Sequence, residues 1–155
     1  IGPRDERLWD HGAWTPLVHM YPNADIPLLE VSMPKRWDDV VSLGERLRPL
    51  RNEDVLLIGS GGAVHNLGRI TFGREVATDS FAREFDAWVE KTLTKDPREL
   101  LRAKTDGPDF FTAHPSDEHF RPLLFAVGAG TGSPVTFPIT GFEFGNLSCR
   151  SIQFG

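Results

Sequence analysis

Apolar and polar positions follow two rhythms along this chain. Residues 26–33 (IPLLEVSM) and 54–60 (DVLLIGS) are near-continuous apolar runs rich in strand formers, the pattern of strands buried on both faces. Between them Trp37, Val40, Val41, Gly44, Leu47 and Leu50 recur at three- and four-residue intervals, which predicts a helix that starts after Pro34 and turns its charge outward. A strand, a helix and a second strand, joined by a connection of this length, suit a parallel crossover. An α/β sheet is therefore expected.

The Gly-rich stretch 59–66 (GSGGAVHN) reads as a turn after the second strand. A second amphipathic helix follows, with Phe81, Phe85, Trp88 and Leu93 on one face and Asp79 or Ser80 as its cap. A short polar helix is expected around 97–104 and a loop over 105–114. Ser116 then stands where the cap of a helix over 117–127 belongs, with Pro122 confined to about its first turn. Residues 135–139 (VTFPI) predict a strand, and 142–154 an extended ending bent at Gly145. No repeat, low-complexity tract or shift in composition divides the chain.

Composition narrows the picture. The 155 residues carry 17 Lys plus Arg against 22 Asp plus Glu, a formal charge of -5, with 39% apolar residues, which suits one ordinary globular domain. No segment concentrates basic residues into the stripe that a nucleic-acid groove needs. The longest apolar runs, 55–58 (VLLI) and 123–127 (LLFAV), fall far short of the roughly 20 residues of a membrane span. Cys149 has no second cysteine to pair with, which excludes an internal disulfide and a cysteine-based zinc site. No secretory signal pattern opens the chain, so a cytoplasmic setting is expected. The first residue is Ile rather than Met, which leads to the expectation that the chain begins part-way through something longer.

The chemistry-bearing candidates are five histidines, His11, His19, His65, His114 and His119. No G-x-S-x-G elbow, Walker loop or H-E-x-x-H helix is present, and GSGG at 59–62 lacks the full spacing of a dinucleotide turn. His65 lies just past the end of a predicted parallel strand, where ligands gather in open α/β sheets. It reads equally as a surface-loop residue bonded to Asn66 or a carbonyl. His11 follows Asp10, which suits a carboxylate-oriented ring, although such adjacency also arises by chance. His119 follows Asp117 and Glu118 at a predicted helix start. The acids there suit dipole compensation, and the imidazole suits either an inert surface position or a metal ligand presented from the helix terminus. His114 and His119 are five apart and do not share a helical face, which argues against a local two-histidine zinc clip. His19, among Val18, Met20 and Tyr21, reads as a packed, hydrogen-bonded residue.

Taken with their neighbours, these histidines gain a context. The segments 10–33 (DHGAWTPLVHMYPNADIPLLEVSM), 59–69 (GSGGAVHNLGR), 114–128 (HPSDEHFRPLLFAVG) and 145–155 (GNLSCRSIQFG) resemble, in order, the DOPA-type branch of the class III extradiol ring-cleaving dioxygenases. The resemblance implies a single α/β domain with a mixed, largely parallel central sheet flanked by helices. It implies cleavage of a catechol-type ring with dioxygen at a non-haem iron(II), a site that also accepts zinc. By motif, His119 in PSDEH resembles the metal ligand of the C-terminal half. His65 in SGGAVHN resembles the acid/base residue. His11 in the D-H-G block resembles the group that contacts the substrate hydroxyl or bound oxygen, and His19 stays structural.

The chemistry explains these residue types. A catechol binds iron best as its anion, so an imidazole of near-neutral pKa suits the removal and later return of a proton. Open metal positions for substrate and dioxygen leave room for only three protein ligands. The resemblance also implies an N-terminal part that supplies two further metal-binding histidines and is not found here. Residues 1–155 are therefore expected to be the C-terminal part of one catalytic domain, to bind metal weakly or not at all alone, and to show an exposed sheet edge. The missing segment or a homodimer partner is the expected protein partner. Two alternatives remain at this point: a non-catalytic binding or structural protein built on the fold, and one chain of a two-chain enzyme.

Overall fold

The computed structural model describes residues 10–73 and 76–155, and these separate into two units, Ile1–Ser32 and Met33–Gly155. In the first, the D-H-G block opens helix α1 (His11–Met20), which the periodicity did not reveal. Asp10 is its cap, with Oδ1 accepting from the Gly12 N–H at 2.7 Å and its carbonyl accepting from Ala13 and Trp14. No residue of α1 is buried, and His19 is exposed rather than packed. Residues 26–33 are irregular, with Ile26, Leu29 and Val31 exposed.

The second unit begins with α2 (Trp37–Leu47) and a tight turn, Arg48–Asn52, and passes through a short turn at Leu67–Arg69. Helix α3 (Ser80–Lys95), a turn at Pro97–Arg102, α4 (Ala103–Asp106), α5 (Phe110–Ala113) and α6 (Arg121–Ala129) follow. The chain ends in four short strands, β1 (Val135–Ile139), β2 (Phe142–Glu143), β3 (Leu147–Ser148) and β4 (Ser151–Phe154). No helix among the described residues is long and apolar enough to cross a membrane.

The apolar stripe foreseen on α2 is buried as Trp37, Val40 and Val41; on α3 Phe81, Phe85 and Leu93 are buried as expected, with Val89 beside them, while Trp88 is only partly buried. Phe85 is fully buried, with Phe110, Phe120 and the His114 ring edge-on around it at centroid distances of 5.5–6.1 Å. Helix α6 supplies Leu123, Leu124, Phe125 and Val127 to the same core. It crosses α2 where neither helix has a side chain. A Cβ on Gly128 would stand 2.1 Å from the Val41 carbonyl oxygen, and one on Gly44 2.2 Å from that of Phe125.

The strands form two antiparallel pairs, β1 with β4 and β2 with β3. The β1–β4 register shifts between Thr136 and Ile139, where Pro138 has no N–H to give. The β2–β3 hairpin turns through Phe144 (φ +51°) and Gly145 (φ +84°), the bend expected at Gly145. Buried Arg150 fastens this ending to α3, donating from Nε and Nη2 to Asp86 at 2.9 and 2.6 Å.

Several expectations are corrected. Residues 26–33 and 54–60 are not buried strands: both lack regular structure, and Val55, Leu56 and Ile58 are exposed. A continuous apolar run records a tendency to be covered on both faces, but a strand also needs a neighbour for its N–H and C=O groups, and the described residues provide none there. The largely parallel sheet is accordingly not formed among them, and the pairing they show is antiparallel. The segment 105–114 is not all loop, because Phe110 is drawn into the core and winds α5. Helix α6 begins at Arg121, without Ser116 as its cap, and Pro122 does fall in its first turn. Cys149, within the stretch expected to be extended, lies half-buried between β3 and β4.

The α2–α6 crossing yields a prediction with an unusual sign. In an open helix, Gly→Ala stabilises by about 1 kcal/mol. At Gly128 the new methyl would meet the Val41 backbone, and forcing it in costs typically about 1–3 kcal/mol or more. Urea unfolding of Gly128→Ala should therefore show a net loss of stability. A gain would show that the two helices are free to separate at no cost.

Candidate active site

Two loops of the second unit meet at the start of α6. In the Gly-rich turn, Gly62 donates its N–H to the His119 carbonyl at 3.0 Å, and His65 donates its N–H to the Ala113 carbonyl at 3.0 Å. The approach is possible because the turn has glycine at the points of contact. A Cβ on Gly61 would lie 2.3 Å from the His119 carbonyl oxygen, and one on Gly59 2.3 Å from that of Pro122. Zipped together in this way, the loops stack the rings of His65 and His119 with centroids 3.6 Å apart and planes 14° from parallel.

Both rings are half-buried. Burial, and then the adjacent His119, lower the pKa of His65 below its ordinary value, because a charge on its ring would be both poorly solvated and repelled. His119 stands in the turn ahead of α6, not within the helix, so it is free of the helical spacing assumed for it.

Beneath the pair lies His114, 1% exposed and enclosed by Phe85, Phe110 and Phe120. Its Nε2 is 2.9 Å from the Ala63 carbonyl, which selects the tautomer that donates there, and its Nδ1 has no partner. Burial pushes its pKa down to about 4, against the opposing pull of the Ala63 carbonyl. It is a core residue that ties the Gly-rich turn to α5, and no two-histidine clip with His119 forms.

Asparagines that sequence reasoning passed over hold the His65 loop. Asn66 donates from Nδ2 to the Thr112 carbonyl at 2.6 Å and accepts the Gly68 N–H at 3.0 Å. Its own N–H reaches Oδ1 of fully buried Asn146 at 3.3 Å. The alternative in which Asn66 bonds to His65 is not what forms. Only the adjacency His65–Asn66 hinted at this role, and nothing in the sequence pointed to Asn146.

Asp117 does more than compensate a helix dipole, because its carboxylate gathers donors from three elements. It accepts from Trp37 Nε1 at 2.9 Å, Lys104 Nζ at 3.0 Å, and Arg121 Nε and Nη2 at 2.8 and 2.6 Å. Burial alone would raise its carboxyl pKa, but the bonds from Arg121, Lys104 and Trp37 outweigh it and hold the value at about 2.

The structure thus brings His65 and His119 together, while His11 is described within the first unit by itself. There it opens α1, exposed, with Nδ1 3.2 Å from the Asp10 oxygen that also caps the helix. Among the described residues, no three His, Cys, Asp or Glu side chains gather as a metal would require.

Known proteins now give this geometry a context. Residues 4–154 match the family model for the catalytic LigB subunit of aromatic ring-opening dioxygenases, a span that includes all three candidate histidines. The chain belongs to the LigB family. Within it, the chain is 36% identical to a 4,5-DOPA dioxygenase extradiol of Escherichia coli K12 over 97% of its own length and 59% of that protein's. It is 39% identical to a 4,5-DOPA dioxygenase extradiol of Beta vulgaris, covering 96% of this chain and 57% of that one. The crystal structure of an uncharacterised E. coli K12 protein superposes with a TM-score of 0.84 at 34% identity, over 99% of this chain and 65% of the other. The LigB-type chain described here therefore spans somewhat more than half the length of the curated relatives it matches.

The His114 environment sets a pH dependence in this LigB chain. Its pKa is about 4 folded and about 6.5 unfolded. The unfolded chain therefore binds the extra proton between these values, and stability is lost as pH falls from 6.5 toward 4. On this single group, stability at pH 5 should be lower than at pH 7.5 by on the order of 2 kcal/mol. Urea unfolding at both pH values should show most of that difference vanish in His114→Gln. An unchanged difference would assign the proton elsewhere.

Proposed function

We propose that this chain is the C-terminal part of an extradiol dioxygenase that opens a catechol-type ring with dioxygen, and that His65 and His119 are the two site residues it contributes from its second unit. The single observation carrying this reading is the stacked His65–His119 pair, formed by two motif blocks 54 residues apart in a chain of the LigB family. The names of the curated relatives support the substrate class, since they are 4,5-DOPA dioxygenases.

In this reading His119 is a metal ligand. Its donor type suits iron(II) or zinc(II), which take imidazole nitrogen readily. Among the described residues no group of three ligands gathers, and this reading assigns the remaining ligands to the part of the relatives' length that this chain does not match. The same part would cover Val55, Leu56 and Ile58 and pair the 54–60 run into a largely parallel sheet. When bound, the metal polarises the catechol oxygens and activates dioxygen. The role of His65 is to accept the phenolic proton at a ring nitrogen and to return it after ring opening. His11, whose Nδ1 lies 3.2 Å from Asp10 Oδ1 in the first unit, is assigned by its motif block to contact a substrate hydroxyl or oxygen.

The test joins this chain to the remaining share of the E. coli relative, loads iron(II) without air, and follows ring opening by absorbance when a catechol and dioxygen are added. His119→Ala should lose the metal. His65→Phe should keep the metal and slow turnover by about 100-fold or more, the scale of a lost acid/base group. The unjoined chain should bind iron or zinc only weakly. Tight stoichiometric metal on the chain alone, or equal metal loss in both variants, would overturn this division of roles.

A further inference from the structure

We infer that Asp117 is a positioning residue whose carboxylate clamps the turn before α6 so that His119 is held against His65. Three elements send donors to this one side chain: Trp37 from α2, Lys104 from α4 and Arg121 from α6. Asp117 is also bound through its backbone, its carbonyl accepting from the Phe120 and Arg121 N–H groups at 3.1 and 3.0 Å. The side chain is only 19% exposed, so these bonds are poorly replaced by water.

The geometry separates this role from general stabilisation. Helices α2 and α6 are already joined by the Gly44–Gly128 crossing and the apolar core, and do not need a carboxylate to meet. A partly buried ion pair is in any case weak evidence of stabilisation, because desolvation offsets its attraction. What Asp117 alone does is grip the far side of the loop that Gly61 and Gly62 grip from the near side. His119 stands two residues beyond the clamp. Both flanks of His119 are thus held, and its ring lies face to face with His65 at 3.6 Å. Lys104 is itself braced, with Nζ 4.4 Å from the Trp37 ring centroid.

The inference rests on reading His65 and His119 as the site, but its test uses no metal and no turnover, so the two fail separately. In this chain, the ring protons of His65 and His119 shield one another, and NMR reads that displacement directly. Asp117→Asn keeps the shape but turns an amide N–H2 toward existing donors. It should remove at least half of the ring displacement, leave the Val89 and Leu93 methyl shifts unmoved, and be partly rescued by Asp117→Glu. A lower unfolding midpoint with unchanged His65 and His119 ring shifts in the folded protein would reduce Asp117 to a structural residue and overturn the inference. If Asp117→Asn does not fold, Lys104→Met decides: it removes one donor while keeping an apolar stem over Trp37. A smaller shift in the same direction supports the clamp, and no shift refutes it.

Discussion

Helix α6 is held at both ends by backbone lying directly against backbone. Near its C-terminal end Gly128 meets the Val41 carbonyl and Gly44 meets that of Phe125; at its start Gly59 and Gly61 meet the carbonyls of Pro122 and His119. Contacts this close admit no methyl group and very little sliding, because packed interiors do not deform continuously. The loop that presents His119 is thereby placed relative to the loop that presents His65, and the core of Phe85, Phe110 and Phe120 forms in the space that remains. The site is a consequence of where α6 is allowed to lie.

The electrostatics follow from that placement. At His65, burial first and then the stacked His119 ring lower the pKa below the ordinary imidazole value. His114 beneath them is buried more completely and stays neutral well below ordinary histidine pH. Glu118 pulls the other way at His65 and Asp117 at His114, but neither outweighs burial, and Asp117 is committed to Arg121, Lys104 and Trp37. His65 is therefore set in surroundings that favour its uncharged ring, the form that accepts a proton.

Much of the helical framework was legible in the sequence, and for a physical reason. Trp37, Val40, Val41 and Gly44 on α2, and Phe81, Phe85 and Leu93 on α3, recur at helical spacing and share one core, so one reading satisfies them all. The apolar runs at 26–33 and 54–60 announced a need for cover without naming what covers them, and they stand exposed. Helix α1 carries no buried residue, so it left no stripe to read, and His19 within it is exposed. At the site, motif blocks marked His65 and His119. Their contact depends on Gly61, whose partner is 58 residues distant, and on Asp117, whose i,i+4 bonds to Arg121 are local but whose Trp37 partner is 80 residues away.

The central claim is that two distant motif blocks hold His65 and His119 ring against ring through the fixed position of α6. Nuclear Overhauser contacts between the ring protons of these two residues, measured in the unmodified chain at neutral pH, address it most directly. The account predicts strong cross-peaks between the rings, together with contacts from the His114 ring to Phe120. Cross-peaks absent between His65 and His119, while those of His114 to Phe120 persist, would contradict it.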